Sequence, residues 1–234
     1  VPPEDDGDGV SDGDRARERS RPGADRDRGR TRLRTLLWDL DHPEEPVAIL
    51  ADSESTGRYP LLAPASDGTR IAIGWGGESM VSLWSATDGT PLGELDTQTS
   101  VTALALGPNG VLAAAGGGAV RLQDVDSALE RTIFTPHQGF VSRLGFSPDG
   151  TMLAVAGWGK EVEVWDTAAS SSTLVASLSN PEGVTELAFA PGSRLLAVGQ
   201  PGSVALWAIV DPEVKVQAAG FEEPPASLDF RPDG

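Results

Sequence analysis

At 234 residues the chain has the length of one large β domain or two small ones. Its formal net charge of −17, from 35 acidic against 18 basic residues, sets it against nucleic acid and anionic membrane surfaces, whose phosphates it would repel. The absence of cysteine removes disulfides, thiolate metal sites and thiol nucleophiles.

Residues 1–32 read as a disordered charged linker. Val1–Arg30 holds nine acids and seven arginines among scattered Gly and Pro, and Val1 and Val10 are its large apolar residues. Such a segment cannot bury enough apolar surface to offset its ordering entropy. It has no basic start followed by an apolar core, so it is not a secretory signal, and a cytoplasmic protein is expected. Lysine is confined to Lys160 and Lys215 against 16 arginines; with Ala, Gly, Asp and Pro abundant, this composition suggests a GC-rich bacterial coding sequence.

From Leu33 onward the pattern changes to short apolar runs separated by turns. Leu33–Asp52 gives two strands, the first ending at Trp38 and the second at Val47–Ala51. The clearest stretch runs from Phe140 to Asp166: an alternating run Val141–Phe146, the turn Ser147-Pro148-Asp149-Gly150, a second run Met152–Ala156, a Gly-Trp-Gly turn and a third run Val162–Trp165. Alternation between turn signals predicts an antiparallel meander. Pro148 fixes φ near the turn value, and Asp149 and Gly150 supply the positions that tolerate positive φ. The same turn recurs at Ala65–Gly68, Gly107–Gly110, Ala190–Ser193 and Arg231–Gly234, in steps of 42, 40, 43 and 41 residues counted from the last residue of each turn. The residue closing each third strand recurs as Trp38, Trp84, Gln123, Trp165 and Trp207. A fourth strand follows each, at Val47–Ala51, Pro91–Leu95, Glu130–Phe134, Thr173–Leu178 and Val214–Ala218. A period of about 40–45 residues with four strands per unit is the mark of a β-propeller blade. The uncharged run Ala103–Val120 holds Pro108, Asn109 and five glycines, so it reads as two strands around a turn and not as a membrane span.

At these residues the chain resembles the WD-repeat (WD-40 type) family. The resemblance covers Leu33 to Gly234 and rests on VSRLGFSPDG (Val141–Gly150), VEVWD (Val162–Asp166), WDL (Trp38–Leu40) and PHQGFV (Pro136–Val141). It implies an all-β fold, a β-propeller with four complete four-stranded antiparallel blades at about 59–97, 101–135, 141–178 and 184–219. Partial blades at 33–52 and 225–234 flank them. In closed propellers of the family, strands from both termini commonly complete one blade. Here the two partial blades together lack a second strand, so a fragment of a larger propeller is expected rather than a closed five-bladed ring. The resemblance further implies structural roles for Trp38, Trp84, Trp165 and Trp207 as third-strand core residues, and for Asp149 and Gly150 in the turn. It places His137 where the family has a structural histidine that bonds a Ser or Thr of the second strand and is oriented by an Asp. Gly157 and Gly159 stand near those two positions, so this network is incomplete.

Catalytic patterns are sparse. The two histidines, His42 and His137, are 95 residues apart, and neither HExxH nor GxSxG occurs. The glycine-rich stretches Gly74–Gly77 and Gly116–Gly118 sit between second and third strands and precede no helix that could take a phosphate. Glu44-Glu45 and Glu222-Glu223 are adjacent acids of solvated loops. No cofactor and no metal site are expected. Trp75 and Trp158 end second strands in corresponding turns two blades apart, and tryptophan is enriched in binding hot spots, so these two are the candidate partner-binding residues. The expectation is a non-enzymatic protein-interaction scaffold, the repeat region of a larger bacterial signalling or regulatory protein, with proteins or peptides as partners. Self-association through open blade edges is a further expectation. The alternative is a propeller hydrolase or lyase with its site at the central channel. That site would need acids or histidines at the first-strand starts, which read as Tyr59, Val101, Val141, Val184 and Ala226.

Overall fold

A computed structural model describes residues 31–234 except 40, 56–58, 137–138, 160, 169–170, 181–182, 211–212, 220–221, 226 and 232–234. The linker reading of residues 1–30 and the structural role of His137 therefore lie outside the described residues. Among the described residues there are eighteen strands and no helix, so none could cross a membrane as a helix.

Two strands open the array, β1 (Thr31–Trp38) and β2 (Pro46–Ser55), paired antiparallel as a hairpin. Four sheets follow, each a four-stranded meander. Blade I is β3 (Pro60–Pro64), β4 (Arg70–Trp75), β5 (Met80–Ser85) and β6 (Pro91–Asp96). Blade II is β7 (Ala103–Leu106), β8 (Val111–Gly116), β9 (Ala119–Asp124) and β10 (Glu130–Phe134). Blade III is β11 (Val141–Phe146), β12 (Met152–Gly157), β13 (Glu161–Asp166) and β14 (Thr173–Ser179). Blade IV is β15 (Glu186–Phe189), β16 (Leu195–Gln200), β17 (Ser203–Ala208) and β18 (Glu213–Ala219). This is the all-β, four-bladed architecture that the repeats predict.

The turns explain why each blade folds back on itself. Three of them carry the same tripeptide, Asp67-Gly68-Thr69, Asp88-Gly89-Thr90 and Asp149-Gly150-Thr151. In each, the Asp carboxylate accepts both the backbone N–H and the hydroxyl of the Thr two residues on. The glycine between them takes φ of 70°, 68° or 69°, a conformation open to Gly and costly for other residues. In blade IV the tetrapeptide is Ala190-Pro191-Gly192-Ser193, with glycine one place early. The left-handed position falls on Ser193, at φ 55°.

The hydrophobic core lies between the blades. Side chains alternate across each strand, so every blade feeds two layers. Leu153, Val155 and Trp165 of blade III pack with Val111, Ala113 and Leu122 of blade II. Ala154, Ala156, Val162 and Val164, one residue out of step, pack with Leu196, Val198 and Trp207 of blade IV. A third layer joins blades I and II through Val81, Leu83, Leu104 and Leu112. Each fully buried Val or Leu here contributes on the order of 1.5–3 kcal/mol, so a blade's stability rests mainly on its neighbours. Burial is greatest in the second strands and falls outward: all six residues of β8 are buried, whereas in β6 Leu95 alone is.

The innermost strands β3, β7, β11 and β15 adjoin one another around a central cavity of about 370 Å³, lined by Leu62, Leu144, Leu187 and Leu228 among others. Residues 222–231 take no strand conformation where described, against the expectation of a first strand at 226–230. Pro225 and Leu228 instead pack over Gly199, where a Cβ would collide with Pro225 and crowd Leu228.

Candidate interaction rim

The loops that join one blade to the next and the turns between second and third strands share one edge of the array. Hydrogen bonds stitch this edge into an arc. In blade I, Gly76 N–H donates to the Tyr59 carbonyl at 2.9 Å. Gly77 N–H reaches Val101 O at 3.0 Å and Val101 N–H returns to Glu78 O at 2.8 Å, joining blade I to blade II. The Thr102 hydroxyl donates to Val141 O at 2.7 Å, joining II to III. Arg143 Nε donates to Thr185 O at 2.8 Å, joining III to IV.

On this arc stands a pair of aromatic rings. Phe140 and Trp158 lie with centroids 4.5 Å apart and planes tilted by 33°, and Trp158 N–H donates to Phe140 O at 3.1 Å. Trp158 is 80% exposed and Phe140 39%. The backbone approach is close because the intervening strand end is Gly157: a Cβ there would lie 1.8 Å from Phe140 O. The same contact leaves no room at Gly157 for the serine or threonine that the family's histidine network would use. In blade I the place of Phe140 is taken by Tyr59, itself 52% exposed, and that of Trp158 by Gly76. Tyr59 lies over the bare glycine, its ring carbons 2.4–2.7 Å from where a Cβ would stand.

Trp75 and Trp158 do not occupy equivalent positions. Trp75 is the last residue of β4, opposite Pro60, and half-buried; Trp158 lies one residue beyond β12. Trp75 matches Gly157 in the repeat, and a one-residue offset in a strand reverses the face. The expectation of two matching rim tryptophans is therefore corrected: the rim residue of blade I is Tyr59. Phe140 and Tyr59 were legible as aromatics placed just ahead of a first strand, a signal the strand pattern alone does not flag.

The third-strand tryptophans divide by their surroundings. Trp165 is buried against Phe134 of blade II, centroids 4.3 Å apart, and its Nε1–H donates to Glu163 at 2.9 Å. Glu163 is wholly buried two residues earlier on the same face. The corresponding residues are Ser82 and Ala205; Trp84 Nε1 and Trp207 Nε1 are buried with no hydrogen-bond partner among the described residues. In blade II, Gln123 replaces the tryptophan and donates to Ala128 O at 3.0 Å. Trp38 is 44% exposed, which corrects its reading as a core residue: it sits on the outer face of a two-stranded sheet, beside the equally exposed Leu36, Val47 and Ile49.

Sequence reasoning missed a buried polar network in blade IV. Ser203 Oγ donates to Gln200 Oε1 at 2.8 Å, Gln200 Nε2 donates to Asn180 Oδ1, and Asn180 Nδ2 donates to Gly183 O at 3.0 Å. Asn180, Gln200 and Ser203, each at most 5% exposed, tie the incoming loop to the turn after β16. Polar residues at a strand end are an ordinary solvated pattern in sequence, so nothing marked them.

On the opposite edge, burial pushes the Asp149 carboxyl up. Hydrogen bonds from the Ser147 hydroxyl and from Thr151 outweigh it and leave the group below its ordinary value. Asn109 Nδ2 donates to Gly150 O at 3.2 Å, and Arg70 pairs with Asp126 at 2.9 Å, so this edge is also joined blade to blade. His42 is exposed, 3.7 Å from Glu44. Among the described residues no three His, Asp or Glu side chains group as a metal site.

Residues 129–166, from β10 through β13, match the family described as WD domain, G-beta repeat. Actin-interacting protein 1-2 of Arabidopsis thaliana is 33% identical over 116 residues, which are 48% of this chain and 19% of that protein. WD repeat-containing protein VIP3 of the same plant is 30% identical over 148 residues, 56% of this chain and 46% of that protein. Human WD repeat-containing protein 90 is 37% identical over 92 residues, 38% of this chain and 5% of that protein. The chain thus spans less than half the length of these curated relatives. A solved structure, the crystal structure of the Mitotic Checkpoint Complex, contains a chain that superimposes with a TM-score of 0.67 at 22% identity, covering 81% of this chain and 59% of that one. The likeness is one of fold. Residues 129–166 thus match a WD repeat, and the array has the fold of propeller blades.

Proposed function

We propose that this blade array is a protein-interaction scaffold that takes its partner at the rim carrying Tyr59, Phe140 and Trp158. The observation that carries the reading is the Phe140–Trp158 stack. A tryptophan 80% exposed is held by a backbone hydrogen bond on a rigid edge. Such a ring presents a large apolar area with little conformational freedom left to lose on binding. The blades supply rigidity through their shared core layers, and the loops supply recognition. The names of the similar proteins accord with this: one is an actin-interacting protein, and the chain of similar fold belongs to the Mitotic Checkpoint Complex. The hydrolase alternative has less to rest on, because the cavity lining is apolar but for Ser66, Asp229 and backbone groups, and Asp229 is its one acid. The acid at the head of β15, Glu186, faces Arg143 at 3.6 Å.

Peptide display against the whole chain tests the proposal. Recovered peptides should lose binding to the Phe140→Ala/Trp158→Ala double variant while binding a Val210→Ser variant of the opposite edge. Peptides that bind the double variant as tightly as the parent would sink the rim assignment.

A further inference from the structure

Building on the rim reading, we infer that the Phe140–Trp158 stack receives a cationic segment of a partner protein, with an arginine or lysine head laid over the exposed indole face. The pair offers what a cation needs. An aromatic face carries negative potential, and Trp binds cations best of the aromatic side chains. Trp158 is too exposed for its face to be fully covered by its own fold. Lys160 and Glu161, which follow it in the chain, carry opposite formal charges, so the favourable sign is that of the whole molecule's surplus of acids. Glu161, three residues further along at the head of β13, is exposed and on the same edge, and accepts from Ser177.

Four of the described arginines are engaged elsewhere. Arg143, three residues from Phe140 along β11, is directed to blade IV, where it donates to Thr185 O and faces Glu186. Arg121 pairs with Glu130 at 2.6 Å, Arg131 with Asp124 at 3.2 Å and Arg70 with Asp126 at 2.9 Å. With 35 acids against 18 basic residues overall, pairing of this kind leaves carboxylates in surplus. A surplus of that size steers a basic segment toward the molecule and repels an acidic one. An apolar occupant would use the rings but gain nothing from the field, and an acidic one would be opposed by it.

The test uses the whole chain and three synthetic probes of equal length, alternating Arg-Gly, Lys-Gly and Glu-Gly peptides, titrated calorimetrically at low and high salt. The Arg-Gly peptide should bind, the Lys-Gly peptide more weakly and the Glu-Gly peptide not at all. Trp158→Ala should weaken the Arg-Gly complex about fivefold, the loss expected for one exposed cation–π contact. Trp158→Phe should retain part of the affinity, and salt should weaken binding through the carboxylates. Val210→Ser, on the opposite edge at an 85% exposed residue, should change nothing. Because Trp158 is mostly solvated, its removal leaves the fold intact, and an unchanged thermal midpoint verifies this. Equal affinity of the parent and Trp158→Ala for the Arg-Gly peptide, or equal binding of the Glu-Gly peptide, overturns the inference. If that happens while display-selected peptides still require Trp158, the cationic partner falls and the rim assignment stands. If neither class requires Trp158, both fall.

Discussion

Trp38 and Trp165 carry the same local signal with opposite outcomes. Each stands at the end of a strand or one residue short of it and is followed by an aspartate, and in each case that aspartate accepts the N–H two residues on, Asp39 from Asp41 and Asp166 from Ala168, both at 2.9 Å. The turn is therefore written in the dipeptide. Burial is not: Trp165 is 8% exposed between two blades, whereas Trp38 is 44% exposed on the outer face of a hairpin. What differs is the sheet on the other side, which for Trp165 supplies Phe134. Short-range chemistry shapes the chain at a WD turn, and the adjoining blade supplies most of the energy.

The contrast can be broken by mutation. Trp165→Ala should cost about 3–5 kcal/mol, as for other large core aromatics, seen as a shifted denaturation midpoint; an unchanged midpoint would refute burial as the distinction. Glu163→Ala should come next, at about 1–3 kcal/mol, because it leaves the buried indole N–H without that acceptor. In a Trp165→Phe background the loss should shrink, and a double-mutant cycle measures the coupling. If the cycle shows none, the Glu163–Trp165 bond is structurally present but energetically idle.

The turn half of the comparison gives smaller effects. Asp149→Asn should cost about 1 kcal/mol near neutral pH, the scale of turn hydrogen bonds. The folded-state pKa of Asp149 lies below its ordinary value, so the carboxylate stabilises the fold in full above the ordinary carboxylate range. That contribution is lost as pH falls through the folded value. The gap between parent and variant should therefore close as pH falls below about 4; a gap that widens on acidification would contradict the assignment. Ser193→Gly should stabilise by roughly 0.5–1 kcal/mol, since a left-handed non-glycine residue is relaxed and the added chain entropy of the unfolded state offsets only part of the gain. Trp38→Ala should move stability least, within about 0.5 kcal/mol, as for exposed positions. A loss as large as that of Trp165→Ala would show that solution conditions cover this face.

What could be read from sequence follows the same division. The fourth strand of blade II was bounded as Glu130–Phe134, as found, because its limits are set by turn residues and alternation. The Asp-Gly-Thr turns are legible for the same reason: donor, acceptor and left-handed glycine lie within three residues. The offset of Trp75 from Trp158 was not, because it depends on where β4 and β12 stop, and one residue reverses the face. The Phe140–Trp158 stack joins residues 18 apart through a carbonyl that only Gly157 admits. The lack of a strand at 227–230 was also hidden, since apolar alternation there is met by packing Leu228 over Gly199 rather than by ladder bonds.

The layered core also sets a timetable of opening. A strand covered on both faces cannot release its amides unless two layers part at once, while an outermost strand can fray alone. In deuterated water the amides of β8 and β12, buried almost throughout, should exchange last and nearly together, because they bound the layer shared by blades II and III. Those of β6 and β14, exposed at most positions, should exchange early. The array would then open from its circumference toward its middle strands, leaving the inner framework in place.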